Sequence, residues 1–113
     1  MNNVYIMSAN RSAIGGFGGT LKNHCPVDLG TLVAKEAIAR SGYEANEVEH
    51  AVFGNVIHTE PRDMYVSRVI ALQAGMDKAS AALTVNRLCG SGLQAIVSAS
   101  QILMLGDCLF YTS

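Results

Sequence analysis

The chain has 113 residues, half of them apolar, with 8 basic and 9 acidic side chains and a formal net charge of −1. That length and apolar share allow one domain with a real core, while the scattered charges offer no basic stripe for nucleic acid and no polybasic cluster for an anionic membrane. No run is expected to approach the ~18 apolar residues of a spanning helix, and the N-terminus lacks the basic and apolar regions of a signal peptide, so cytoplasmic residence with three reduced cysteines is the expectation.

Val4-Tyr5-Ile6-Met7-Ser8-Ala9 is rich in strand formers and predicts a central strand buried on both faces. Gly15-Gly16-Phe17-Gly18-Gly19 invites comparison with a phosphate cradle. However, Leu21 stands where the third glycine of the dinucleotide fingerprint belongs, and the next helix begins only near Pro26. A structural loop with positive-φ positions is preferred. A first helix is expected from Val27 to Ser41, with Pro26 in its first turn, Asp28 at its positive end and Gly42 as its stop. Leu29, Leu32, Val33 and Ala37 should form its buried stripe, and Glu36 and Arg40 have pairing spacing. His24 beside Cys25 resembles half of a metal site or a dyad, but sequence neighbours rarely aim at one target, so a solvated loop histidine is expected and no metal is assigned.

After a polar, turn-like Tyr43–His50 stretch, Ala51 to Ile57 predicts a second strand, in which Gly54 signals close backbone approach. His58, Glu60, Arg62 and Asp63 follow; they read either as an acid–base cluster or as an exposed charged loop. Asp63 can cap a helix running to about Ala74, with Val66, Val69, Ile70 and Gln73 on one face and Gly75 beyond. Ala82 to Asn86 is the third strand, and a last, largely buried helix carries Leu93, Ile96, Val97, Ser100 and Leu103 before Gly106. The alternation β-α-β-α-β-α, with room for a fourth strand at Cys108 to Tyr111, predicts an α/β fold around a parallel sheet.

The chemistry concentrates at Asn86-Arg87-Leu88-Cys89-Gly90-Ser91-Gly92. A cysteine between a strand and a helix sits near the helix N-terminus, where free N–H groups and the dipole favour thiolate. Gly90 and Gly92 keep the corner free of Cβ atoms. Stabilised charge, access and a rigid mount are what a nucleophile needs. Against this stands the ordinary role of a lone cysteine as a small buried hydrophobe.

Asn86 to Ala95 resembles the acyl-acceptor cysteine motif of thiolases, the acetyl-CoA acyltransferases. Arg11 to Leu21 is similar to that family's N-terminal segment, with Ser12 in place of threonine, and Phe53-Gly54-Asn55-Val56 to its second-strand signature. His58 to Tyr65 looks closest to bacterial β-ketothiolases. The resemblance implies that Cys89 is the catalytic nucleophile, attacking an acyl carbonyl and carrying the acyl group as a thioester, with Asn86, Gly90 and Gly92 in support. It implies CoA and acyl-CoA thioesters as substrates rather than a permanently bound cofactor, a homo-oligomer, and an interface near the His58–Asp63 loop. No cofactor-binding residue is assigned.

The resemblance also implies an incomplete N-terminal half of a thiolase-like fold, residues 1–113, in which 108–113 depart from the family as a non-native tail or fragment end. The family's catalytic histidine, second cysteine and asparagine belong to later motifs, and His24, His50 and His58 match none of them. The chain alone is therefore expected to be inactive. The rival classes are a non-catalytic α/β ligand-binding or interaction module and a nucleotide-binding domain using Gly15 to Gly19.

Overall fold

In the computed structural model, residues 3–108 and the backbone of 111–112 are described. The expectations for 109, 110 and 113 lie outside the described residues. Three helices and a three-stranded sheet follow one another: α1 (Pro26–Ser41), β1 (His50–Gly54), α2 (Val66–Gln73), β2 (Ala81–Val85), α3 (Ser91–Leu105) and β3 (Tyr111–Thr112). The sheet is parallel with order β2-β1-β3; His50 pairs with Ala81 and Gly54 with Val85 across the β1–β2 ladder. Of the strand expected at Cys108 to Tyr111, Tyr111 lies in β3, which is two residues long, and Cys108 lies outside it.

Side chains along β1 alternate between two cores, as strand geometry requires. Ala51 faces a cluster with Val27, Ile38, Val66, Ile70 and Ala71 from α1 and α2. Val52 faces the opposite side, with Ala95 and Ala99 of α3. Helices thus cover both faces, the arrangement that parallel sheets need.

The local signals at helix ends hold. Pro26 opens α1, Asp28 lies in its first turn, and Gly42 closes it at φ 82°. Glu36 and Arg40 form the expected ion pair. Gly106 ends α3 at φ 77°, and Gly18 turns the glycine loop at φ 65°. The buried stripe of α1 differs from expectation: it is Val27, Ala34 and Ile38, and Leu32 is 64% exposed. Helix α1 is rotated toward α2 at Gly30, where a Cβ would stand 2.3 Å from Ile70 Cδ1. Its Val33 and Ala37 carbonyls instead accept hydrogen bonds from Asn10 Nδ2 and Ser8 Oγ.

Those two bonds tether the N-terminal segment, and they mark a correction. Val4 to Ala9 is not a strand: it joins no ladder among the described residues, and Tyr5, Ile6 and Met7 are exposed. Strand propensity becomes a strand only where a neighbouring edge offers hydrogen bonds. The order is therefore α-β-α-β-α-β.

Helix α3 is also corrected. Only Ser91, Ala95 and Ala99 are buried, and Leu93 is 70% exposed. The helix lays its small residues on the sheet and turns Leu93, Ile96, Val97, Met104 and Leu105 outward, with Ile102 and Leu103 half-buried. This brings a second correction: Leu88–Leu105 forms an 18-residue window of mean hydropathy 1.5, apolar and long enough by composition to pass as a span. The helix itself has 15 residues, about 22 Å at ~1.5 Å per residue, against the ~30 Å of a bilayer core. Its small-residue face is occupied by β1.

Gly54 makes the tightest approach across the sheet. A Cβ there would lie 2.6 Å from Ser91 C and 2.7 Å from its carbonyl oxygen, whereas one at Gly92 meets nothing within 4 Å. Gly54→Ala is expected to destabilise the chain by about 1–3 kcal/mol through overpacking. Gly92→Ala should be neutral or stabilising by up to ~1 kcal/mol, from helix propensity. Urea midpoints of the two variants check this, and equal midpoints would refute the close approach.

Large apolar side chains are exposed on α3 and at Tyr5 to Met7, and exposed apolar surface of that kind drives association. The purified chain is expected to self-associate, seen as a mass above the monomer by size-exclusion chromatography with light scattering. A concentration-independent monomer would contradict this.

Candidate active site

The corner after β2 is built by hydrogen bonds rather than by packing. Asn86 Oδ1 accepts the Leu88 N–H at 3.0 Å. Ser91 Oγ accepts the Arg87 N–H at 2.8 Å and donates to the Leu88 carbonyl at 2.7 Å. The Gly90 N–H donates to the Arg87 carbonyl and the Ser91 N–H to that of Leu88. Leu88 takes φ 49°, the single left-handed non-glycine among the described residues, which costs about 1–2 kcal/mol. Its side chain is 69% exposed, so the bonds around its peptide hold it there.

Cys89 follows Leu88, with Gly90 as the N-cap residue of α3. Its thiol is exposed and makes no hydrogen bond among the described residues. Arg87 reaches across the first turn of α3 to Gln94 Oε1 at 2.6 Å, and Gln94 Nε2 goes on to Ser98 Oγ. The expected corner is therefore present, with Asn86 holding Leu88. The glycine reading shifts. A Cβ at Gly90 would make only an ordinary 3.4 Å contact and one at Gly92 none, so within this chain the close approach belongs to Gly54.

The other candidates lie elsewhere in structure and chemistry. Cys25 precedes α1, and Arg62 Nη2 lies 3.8 Å from its sulfur. The Asp28 amide would lower this thiol, but burial and the Asp28 and Glu60 carboxylates push it up. His24 and His58 are exposed. Burial pushes the His50 imidazole down, favouring its neutral form. An open depression of about 410 Å³ between the end of α1 and the following turn, lined by Lys35, Tyr43 and Glu44, contains no predicted site residue.

The His58–Asp63 loop, open in sequence between an acid–base cluster and an exposed charged loop, is ordered around a buried Asp63, and the reading of Asp63 as a helix cap is corrected. Glu60, not Asp63, is the N-cap of a short 3-10 turn at Pro61–Tyr65, and Asp63 occupies its third position. Asp63 is fully buried, and its Oδ2 accepts hydrogen bonds from the Thr59 N–H at 2.7 Å, the Thr59 hydroxyl at 2.8 Å and the Glu60 N–H at 3.2 Å. Burial alone would raise this carboxyl, but those donors and the charge of His58 outweigh it and hold the group low. Arg62 pairs with Glu60 at 2.8 Å. Asn55 Nδ2 bonds the Asp63 carbonyl, fastening the loop to the end of β1.

The fold and this corner define a class: an α/β chain that presents an exposed thiol immediately before a long helix. Residues 4–111 match the model of the thiolase N-terminal domain, so the chain belongs to the thiolase family. It is 59% identical over 104 residues to the beta-ketothiolase BktB of Cupriavidus necator, covering 92% of this chain and 26% of that protein. It is 37% identical over 101 residues to bovine mitochondrial 3-ketoacyl-CoA thiolase, covering 89% of this chain and 25% of that protein. Among solved structures, Bacillus anthracis acetyl-CoA acetyltransferase superposes with TM-score 0.85 at 41% identity, over 91% of this chain and 26% of that one. Human mitochondrial 3-ketoacyl-CoA thiolase in complex with CoA superposes with TM-score 0.81 at 35% identity, over 83% of this chain and 24% of that one. The chain spans about a quarter of the length of these relatives.

Because the folded carboxyl of Asp63 lies below its unfolded value of ~3.9, its contribution to stability is full above that pH and is lost as pH falls through the depressed range. Asp63→Asn should therefore lower the urea midpoint at pH 7, with the gap to the parent narrowing near pH 3. A gap that does not change with pH would contradict this.

Proposed function

We propose that this chain carries the acyl-accepting nucleophile of a thiolase, with Cys89 in that role, acting on 3-ketoacyl-CoA and acetyl-CoA thioesters. The observation that carries the reading is the exposed Cys89 on its hydrogen-bonded corner, within a chain that matches the thiolase N-terminal domain over residues 4–111. The relatives' names as beta-ketothiolase and 3-ketoacyl-CoA thiolase support the substrate class.

In the proposed cleavage direction, the Cys89 sulfur attacks the 3-keto carbon of a 3-ketoacyl-CoA. The new S–C bond forms and the bond between C2 and C3 breaks; its electron pair leaves on the acetyl-CoA carbon, which takes up a proton. The thiolate of a CoA molecule then attacks the acyl-cysteine, regenerates the Cys89 sulfur and releases a shortened acyl-CoA. Condensation is the same sequence reversed. CoA is a co-substrate in this scheme, with no resident cofactor or metal. The working protein is proposed as a homo-oligomer in the cytoplasm, a reducing compartment in which a thiol nucleophile persists. Residues 1–113 are proposed as part of the N-terminal thiolase domain.

By itself the chain is proposed to be inactive, since among the described residues no base hydrogen-bonds the Cys89 thiol and a general base typically contributes ~10²–10⁴-fold. Limited iodoacetamide alkylation near neutral pH, mapped by peptide mass spectrometry, should modify Cys89 ahead of Cys25 and Cys108. In parallel, thiolysis of acetoacetyl-CoA by the purified chain should not exceed that of Cys89→Ala. Preferential labelling of Cys25 or Cys108 would overturn the nucleophile assignment and favour a non-catalytic interaction module. Cys89-dependent turnover would overturn the inactivity of the chain.

A further inference from the structure

We propose that Ser91 is a positioning residue for the Cys89 nucleophile: its hydroxyl holds the Arg87–Leu88 turn in the one conformation that sets the thiol in front of α3. This rests on the reading of Cys89 as the nucleophile and extends it to a residue that has no contact with the reacting atoms.

Ser91 is the first residue of α3, after the N-cap residue Gly90, which has no side chain with which to cap the helix. The Ser91 hydroxyl does not reach forward into the helix. Its Oγ turns backward instead, accepting the Arg87 N–H at 2.8 Å and donating to the Leu88 carbonyl at 2.7 Å. The Ser91 N–H adds a second bond to the same carbonyl, and Asn86 Oδ1 takes the Leu88 N–H. Both peptide groups of Leu88 are thereby gripped while its side chain stays out in solvent. A leucine at φ 49° needs such a grip, since the left-handed region is disfavoured for any residue with a Cβ.

Ser91 can grip because it is itself immobile. It is 5% exposed, and Gly54 of the central strand stands directly against its backbone and Cβ. The sheet therefore fixes Ser91, Ser91 fixes Leu88, and the Leu88 backbone sets the direction of the next residue, Cys89. With the hydroxyl gone, Leu88 is free to leave φ > 0, and the thiol leaves the helix end whose N–H groups stabilise negative charge.

The test is the rate of iodoacetamide alkylation at each cysteine of the whole chain near neutral pH, with Cys25 as the internal reference. In Ser91→Ala the Cys89-to-Cys25 rate ratio should fall roughly two- to fivefold, the span of a helix-terminus charge interaction. Leu88→Gly added to Ser91→Ala should recover most of the loss, because glycine adopts positive φ freely. Asn86→Ala, at an exposed position, releases the other grip without disturbing the core and should lower the ratio in the same direction. A ratio unchanged in both Ser91→Ala and Asn86→Ala would overturn the inference. So would equal changes at Cys89 and Cys25, which would mark a purely structural role, or a loss that Leu88→Gly does not relieve. If Cys89 has no advantage over Cys25 in the parent chain, the nucleophile reading fails first.

Discussion

The contact between Gly54 and Ser91 is the constraint on which the rest of the structure depends. It joins the middle strand of the sheet to the start of α3, the most apolar helix, with no side chain between the two backbones. Val52, two residues earlier on the same face, meets Ala95 and Ala99. Small residues on both sides let α3 lie close to β1, and this closeness places the chain segment before α3 at the end of β2. The nucleophile corner is thus a consequence of how the helix seats on the sheet.

The two faces of the sheet are built differently. On the α1–α2 side, branched side chains fill a cluster around Ile70, and polar groups are bonded into it: Ser67 Oγ donates to the Leu83 carbonyl and accepts from the Phe53 N–H and the Thr84 hydroxyl. Those bonds span β1, α2 and β2 and pin their mutual position. On the α3 side the helix contributes only alanines to the buried contact, and Leu93, Ile96, Val97, Met104 and Leu105 are exposed. One face is a finished core; the other carries the site and much unburied apolar surface.

Electrostatics in the His58–Asp63 loop serve shape. A carboxylate with no solvent exposure that accepts three hydrogen bonds from two adjacent residues orders a turn. The Glu60–Arg62 pair is half-exposed and contributes little to stability on its own. Asn55 connects this loop to β1, so the lock also steadies the strand that carries Gly54.

The sequence by itself determined what local chemistry controls. Helix ends at Gly42 and Gly106, the Glu36–Arg40 pair, the parallel strands around Ala51 and Leu83, and a cysteine corner after β2 were all legible, because backbone sterics, dipoles and side-chain period act within a few residues. Gly54 was legible as a close approach, though not what approached it. Tertiary structure decided what depends on a partner distant in sequence. Val4 to Ala9 has strand-forming residues but no paired edge among the described residues. The stripe of α1 turned toward Gly30 and Ile70, and Leu93, Ile96 and Val97 of α3, which read as core, are left exposed among the described residues. Asp63 read as a cap and became a buried acceptor because Thr59 and Glu60 fold back over it. The role of Ser91 was hidden for the same reason. Only the backward reach of its hydroxyl to Arg87 and Leu88 shows that it holds a turn, since hydrogen-bond direction is set by where the folded backbone puts donors and acceptors.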